Sequence, residues 1–171
     1  MKKILSLLCA VVLISSCDIN TDPVEFTATT ELNEAIAVSI AQTSGTSVAF
    51  DENVDQDLNE IVANFSAINN VNINALSYRF ANATGNANAT IESATIVIEG
   101  ITIASLSNVN IHQEANSGTT FNISDAAILD QLEAAFLANT EVNIQFSGTA
   151  VSEEGPVGFE VVVSVNLTVS L

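Results

Sequence analysis

Apolar and polar residues alternate along most of this chain. The clearest run is Phe159, Val161, Val163, Val165, Leu167, Val169 and Leu171, interleaved with Glu160, Val162, Ser164, Asn166, Thr168 and Ser170. A period of two held this long predicts a strand with one face in a core and the other mostly wet. Val142, Ile144 and Phe146 share the period. They read as its hairpin partner, joined through Glu153-Glu154-Gly155-Pro156. Earlier in the chain, Val24, Phe26 and Ala28 share one face, and Ile36, Val38 and Ile40 share another. Ser44-Gly45-Thr46 breaks the run before Val48 to Phe50 resumes it. Val71 and Ile73 are in phase, then Leu76, Tyr78 and Phe80. Ala83-Thr84-Gly85-Asn86 reads as a turn. Ala94, Ile96 and Ile98 follow, with a break at Glu99-Gly100, then Ile101, Ile103, Val109 and Ile111.

Two segments leave this period for a helical one. Leu58, Ile61, Val62 and Phe65 make one stripe, and Asp57 with Glu60 fits a capping box. Ser124 as N-cap, Asp125 at the positive end of the dipole and Asn139 at the close frame a second helix. Its stripe is Ile128, Leu129, Leu132, Ala135 and Phe136. The sum is seven to nine strands with two short helices, an all-β chain. Such strands pair as two stacked antiparallel sheets, with helices over an open end or edge. The fold expected is a β-sandwich, with an immunoglobulin-like arrangement as one version. A barrel or cup with a ligand cavity is the alternative. The Cys…Trp…Cys pattern of true immunoglobulin domains is missing, since the chain has no Trp.

Composition adds a strong charge bias. Twenty carboxylates face three Lys and Arg, for a formal net charge of −17. Nucleic acid is excluded as an expected partner, because phosphate binding needs a basic footprint. High net charge also suggests disorder. That reading fails here, since 48% of the residues are hydrophobic and they are patterned.

The beginning of the chain carries the most specific motif. Lys2 and Lys3 precede an apolar run from Ile4 to Ile14, then Ser15, Ser16 and Cys17. Basic, then apolar, then small residues is the order of a secretory signal, and the run is shorter than the ~20 residues of a membrane span. Ile14-Ser15-Ser16-Cys17 resembles the lipobox of bacterial lipoproteins. The resemblance implies cleavage between Ser16 and Cys17, with Cys17 diacylated and anchored in a membrane. It divides the chain into a signal peptide (1–16), a lipidated cysteine with tether (17–23) and a single β-rich domain (24–171). Cys9 would leave with the signal, so no disulfide is expected. Arg79 would be the one Lys or Arg that remains. In style the chain resembles small, acidic, Asn-rich and β-rich Bacteroidota lipoproteins of unknown function. Asp18 behind the cysteine resembles the inner-membrane retention signal of enteric bacteria. In Bacteroidota lipoproteins, acids at that place instead resemble a surface-export signal. The favoured location is the outer membrane, on either face.

Candidate chemistry is sparse. His112 is the sole histidine, and no Lys follows Lys3. No Gly-x-Ser-x-Gly elbow presents a serine, and His-Glu-x-x-His is missing. His112 sits beside Asn110 on the wet phase of a strand and reads as solvated. Paired carboxylates could serve a glycosidase, but one Tyr and no Trp leave little platform for sugar. Arg79, between Tyr78 and Phe80, reads as the cation of an ordinary surface ion pair. The acidic stretch from Asp51 to Asp57 has oxygen ligands at Asp51, Asn53, Asp55 and Asp57, like the start of an EF-hand loop. Those four are the candidate ligands of a structural calcium. Gln56 stands where that motif needs Gly, and acids ahead of a helix have a role without metal. No other cofactor is expected.

The function expected is non-enzymatic, structural or surface-interacting, in the cell envelope. The partners would be the membrane through the anchor and an envelope or surface protein or glycan. The alternative is a carrier for a small apolar ligand or lipid, with Leu129, Leu132 and Phe136 lining its cavity. A hydrolase is a distant third.

Overall fold

The structure is a computed structural model that describes residues 27–61 and 68–170. The expectations for residues 1–26, including Ser16, Cys17, Val24 and Phe26, lie outside the described residues. So do those for Val62, Phe65 and Leu171, and for the side chains of Glu60 and Ile61. The chain begins with β1 (Thr27–Ile40), β2 (Val48–Asp57) and the one-turn α1 (Leu58–Ile61). Next come β3 (Asn70–Gly85), β4 (Thr90–Ile98), β5 (Ile101–Asn110) and α2 (Ile111–Ser117). Last are β6 (Phe121–Ile123), α3 (Ala126–Ala138), β7 (Glu141–Val151) and β8 (Val157–Ser170).

The strands form two four-stranded sheets, ordered β1-β8-β3-β6 and β2-β7-β4-β5. Every pairing is antiparallel. The sheets face each other across one core and do not close into a barrel. The sandwich expectation holds. Its immunoglobulin-like version gives way to a different winding. The pairs β1·β8, β2·β7, β3·β6 and β4·β5 nest inside one another, which is the order of a jelly roll.

That winding corrects the hairpin expected at the C-terminal end. β7 pairs with β2 and β4 in one sheet, whereas β8 pairs with β1 and β3 in the other. The turn at 153–156 carries the chain across the sandwich. Buried polar groups hold the crossing in place. The Ser152 amide donates to Thr43 Oγ1 at 3.0 Å, and Ser152 Oγ donates to the Gly155 carbonyl at 2.6 Å. Asn86 Nδ2 donates to Ser152 Oγ at 3.0 Å, and the Thr43 amide to the Ser152 carbonyl at 2.9 Å. Thr43, Asn86 and Ser152 are all buried, so each bond satisfies a group that would otherwise be costly.

β8 is central, and its alternating residues from Val157 to Val169 are buried. Phe146 of β7 is fully buried and meets rings from both sheets. Its centroid is 5.0 Å from Phe50, 6.4 Å from Phe80 and 6.3 Å from Phe159. β1 is one continuous strand, with Leu32 joining Ile36, Val38 and Ile40 on the core face. In β3 the pairing with β8 slips between Ile73 and Ala75. A bulge of this kind moves the following residues to the opposite phase. Ile73 and Leu76 are thereby both buried although three positions apart.

The bulge also docks a helix. The Ile73 amide donates to Glu133 Oε1 of α3 at 2.8 Å. Leu132 and Phe136 of α3 are fully buried, while Ile128 and Leu129 pack half-buried at the core's margin. The N-cap of α3 is Asp125, one residue later than expected, accepting from the Ala127 and Ile128 amides. Asn139 closes the helix as expected, its Nδ2 donating to the Ala135 carbonyl at 3.0 Å. α2 replaces the expected end of a strand. Asn110 caps it by accepting from the Gln113 amide at 2.8 Å, and Gly118 ends it in the left-handed region.

Candidate functional site

The acidic stretch is a strand, not a loop. Asp51, Asn53, Asp55 and Asp57 lie along β2, paired to β7. At about 3.3 Å per residue, neighbours on one face are roughly 7 Å apart. A calcium site needs six to eight oxygens at about 2.3–2.6 Å from one point, which a straight row does not supply. The carboxylates are also engaged. Asp51 Oδ1 accepts from Gln145 Nε2 at 2.6 Å, and Asp55 Oδ1 from Asn143 Nδ2 at 2.7 Å. Asp57 Oδ1 accepts from the Asn59 amide at 2.8 Å and its Nδ2 at 3.0 Å. Among the described residues no group of three or more His, Cys, Asp or Glu is placed to hold a metal ion.

The same outer face continues as a grid of hydroxyls. Ser147, Thr95 and Ser105 stand side by side across β7, β4 and β5. Thr149, Ser93 and Ser107 form the next row, with Ser93 Oγ and Thr149 Oγ1 3.1 Å apart. Ser93, Thr95, Ser105, Ser147 and Gly148, together with the apolar Ala94 and Leu106, line a shallow open depression of about 350 Å³. Gly148 allows two backbones to close up there. A Cβ on it would lie 2.2 Å from the Ser93 carbonyl oxygen and 2.7 Å from Ala94 Cα. The depression can exchange hydrogen bonds with a polar partner. Its lining carries no acid, base or activated nucleophile.

His112 is the second expectation to change. It belongs to α2, not to the wet face of a strand, and its Nε2 is buried without a hydrogen-bond partner. A general base must reach the proton it removes, and this nitrogen makes no hydrogen bond to any described group. The helix around it was legible in Asn110 with Gln113 three residues on and Gly118 beyond, a capping pattern. Arg79 is exposed on the outer face of β3, as expected, between the buried Tyr78 and Phe80. Tyr78 stacks on Phe121 of β6, with centroids 4.9 Å apart. Burial pushes its phenol above the ordinary value of 10.0, and the nearby Glu114 charge pushes the same way.

Glu99 is a structural residue that sequence reasoning passed over as a break. It and Gly100 have φ of 50° and 78° and form the two-residue turn between β4 and β5. Its carboxylate accepts from the Asn143 amide at 2.6 Å and from Asn139 Nδ2 at 3.0 Å. One side chain thus ties the β4–β5 turn to the end of α3 and the start of β7.

No protein-family model matches this chain, and no curated protein matches it. Solved structures give loose likenesses. The decameric BFDV capsid protein is 8% identical with a TM-score of 0.39, covering 84% of this chain and 99% of its own. A structure of infectious bursal disease virus, Gt strain, is 11% identical with a TM-score of 0.28, covering 96% of this chain and 47% of its own. At these scores the likenesses bear on neither the fold nor the role.

Proposed function

We propose that this chain is a lipid-anchored cell-envelope protein with a non-enzymatic, structural or surface-interacting role. The signal-like start supplies the anchor at Cys17 and the outer membrane as destination. The domain then meets a protein or glycan at its surface. The observation that carries the second half is the packing of two of the residues expected to line a carrier's cavity. A carrier needs a cavity, and the residues expected to line it were Leu129, Leu132 and Phe136. Leu132 and Phe136 have 0% exposure and belong to the packed core, while Leu129 is half-buried at its margin. Binding is therefore assigned to the outside of the sandwich.

The test labels growing cells with an alkyne-bearing fatty acid and fractionates the envelope. Label on the wild-type chain in the outer-membrane fraction, lost in Cys17→Ser, is the expected result. Unlabelled protein in the soluble fraction of wild-type cells would overturn the anchor. A co-purified lipid in stoichiometric amount, beyond the acyl chains, would restore the carrier.

A further inference from the structure

A sandwich of this order has four edge strands: β1 and β6 in one sheet, β2 and β5 in the other. Proteins guard such edges against stray pairing with charges, inward-pointing charges, bulges or very short strands. Three of the four edges here are guarded by charge or by shortness. β6 has only three residues. β2 carries Asp51, Asp55 and Asp57, and also Glu52, which stands opposite the buried Phe146 on the core phase. β1 carries Glu31, and Glu34 on the core phase opposite the buried Val163. β5 has neither guard; α3 packs against it, yet its outward-facing Thr102, Ser105 and Ser107 stay exposed. Its ten residues, Ile101 to Asn110, contain no charged side chain and no proline. Its pairing with β4 slips once, at Ile103, which leaves Thr102 on one side and Ala104 to Asn110 on the other.

The β5 edge also lacks a backbone partner among the described residues. Backbone bonds outside the regular elements reach neither side of residues 101–110. The Glu99-Gly100 turn closes on Ile98 and Ile101 as a hydrogen-bonded pair. In antiparallel pairing the next position, Thr102 opposite Val97, then turns its N–H and C=O away from β4. Thr102 is exposed. The side chains beside the edge are sorted by face. Ile101, Leu106 and Val109 lie half-buried on the core side, and Thr102, Ser105 and Ser107 are exposed hydroxyls on the other.

We propose that the β5 edge is a binding site that takes an extended segment of another protein as a fifth strand, with apolar residues on one phase and Lys or Arg on the other. Backbone hydrogen bonds would supply affinity, and alternate side chains selectivity. The apolar phase would cover Ile101, Leu106 and Val109. The cationic phase follows from charge: the chain holds twenty carboxylates, and Arg79 is the one Lys or Arg in residues 27–170. The same charge opposes a second copy, whose field would repel the first. This site deepens the surface-interaction half of the proposed function and is independent of the lipid anchor.

The test adds synthetic peptides of about nine residues, a common strand length, to the purified full-length chain. One peptide alternates Val with Lys; its twin alternates Val with Glu. The Val/Lys peptide is expected to slow hydrogen exchange at the Thr102 amide by roughly tenfold or more, and its twin to leave it unchanged. Thr102→Pro removes the N–H on the free side without removing a bond to β4. It is expected to weaken the peptide about tenfold, or ~1.4 kcal/mol, with an unchanged melting temperature. If that variant fails to fold, exchange at Thr102 in the wild type still decides. Protection elsewhere than β5, or equal binding of the twin, overturns the proposal. Protection of Thr102 without peptide that grows with protein concentration also overturns it, in favour of a second copy. Lost acylation at Cys17 with intact peptide binding would overturn the anchor alone.

Discussion

Phe146→Ala tests whether the two sheets are held by one aromatic junction. Phe146 has 0% exposure and is the ring that touches Phe50 in its own sheet and Phe80 and Phe159 in the other. Deleting a buried ring costs about 3–5 kcal/mol, the loss of transfer energy plus the cavity left behind. Each ring pair adds about 0.5–1.5 kcal/mol beyond area, and three are lost at once. The upper half of the deletion range is expected, about 4–5 kcal/mol. Domains of this size have roughly 5–15 kcal/mol in total, so a large share of the stability goes. At roughly 2–4 °C per kcal/mol, the melting temperature falls by about 8–20 °C. Urea titration followed by circular dichroism measures the change, with Phe121→Ala as comparison. Phe121 is half-buried on the three-residue β6 and, among the described residues, stacks on Tyr78 alone. Its loss should cost about 1–2 kcal/mol, from part of the area and a single ring pair. A loss under about 1 kcal/mol at Phe146, or equal losses at the two sites, would refute the junction.

Three further outcomes follow from the same geometry. Gly148→Ala forces a Cβ to 2.2 Å from the Ser93 carbonyl oxygen, so the β4–β7 spacing must open. A loss of about 1–3 kcal/mol by urea titration is expected, and a neutral variant would show the backbones are not in close contact. Ser152→Ala takes the Asn86 amide's acceptor and the Gly155 carbonyl's donor from a buried place, costing about 1–3 kcal/mol in the same titration. At the neighbouring, exposed Glu153, Glu153→Gln should be near neutral, and equal losses at the two positions would remove the special role of Ser152. Tyr78 is the sole tyrosine, so phenolate absorbance reports it alone. Its folded value lies above 10.0, so its contribution to stability is whole below pH 10 and is lost as pH rises through the folded value. Glu114→Gln should bring the titration midpoint down, and an unchanged midpoint would leave burial as the full cause.

Much of the sandwich was legible because its strands are half-buried. The alternation of β8 survives as buried and half-buried positions, and the phase change between Ile73 and Leu76 is the bulge in β3. The stripe of α3 and its Asn139 close were legible for the same reason, since one face alone meets the core. The β7–β8 hairpin was misread because a turn motif says that a chain reverses, not which sheet receives it. The receiver is chosen by distant groups, Thr43 and Asn86, which close on Ser152. The acids of β2 looked like a loop because Asp and Glu disfavour strands by intrinsic preference. Pairing with β7 and the burial of Phe50 override that preference. His112 looked solvated because the one fully buried residue of α2, Ile111, falls in a phase that also fits a strand.

The nesting of strands sets an order of events for the chain. The first strand described, β1, has one sheet neighbour, and that neighbour is β8, the last. β3 reaches β1 only through it as well. Until residues 157–170 arrive, one sheet is a set of separate ribbons with apolar faces and unpaired backbone. The opposite sheet has the same dependence on β7, which bridges β2 and β4. Contacts this distant along the chain make folding slow, since loop closure comes before any gain from pairing. Residues 141–170 are thus the keystone of both sheets: without β7 and β8 neither sheet can be completed, however well the strands before them are formed.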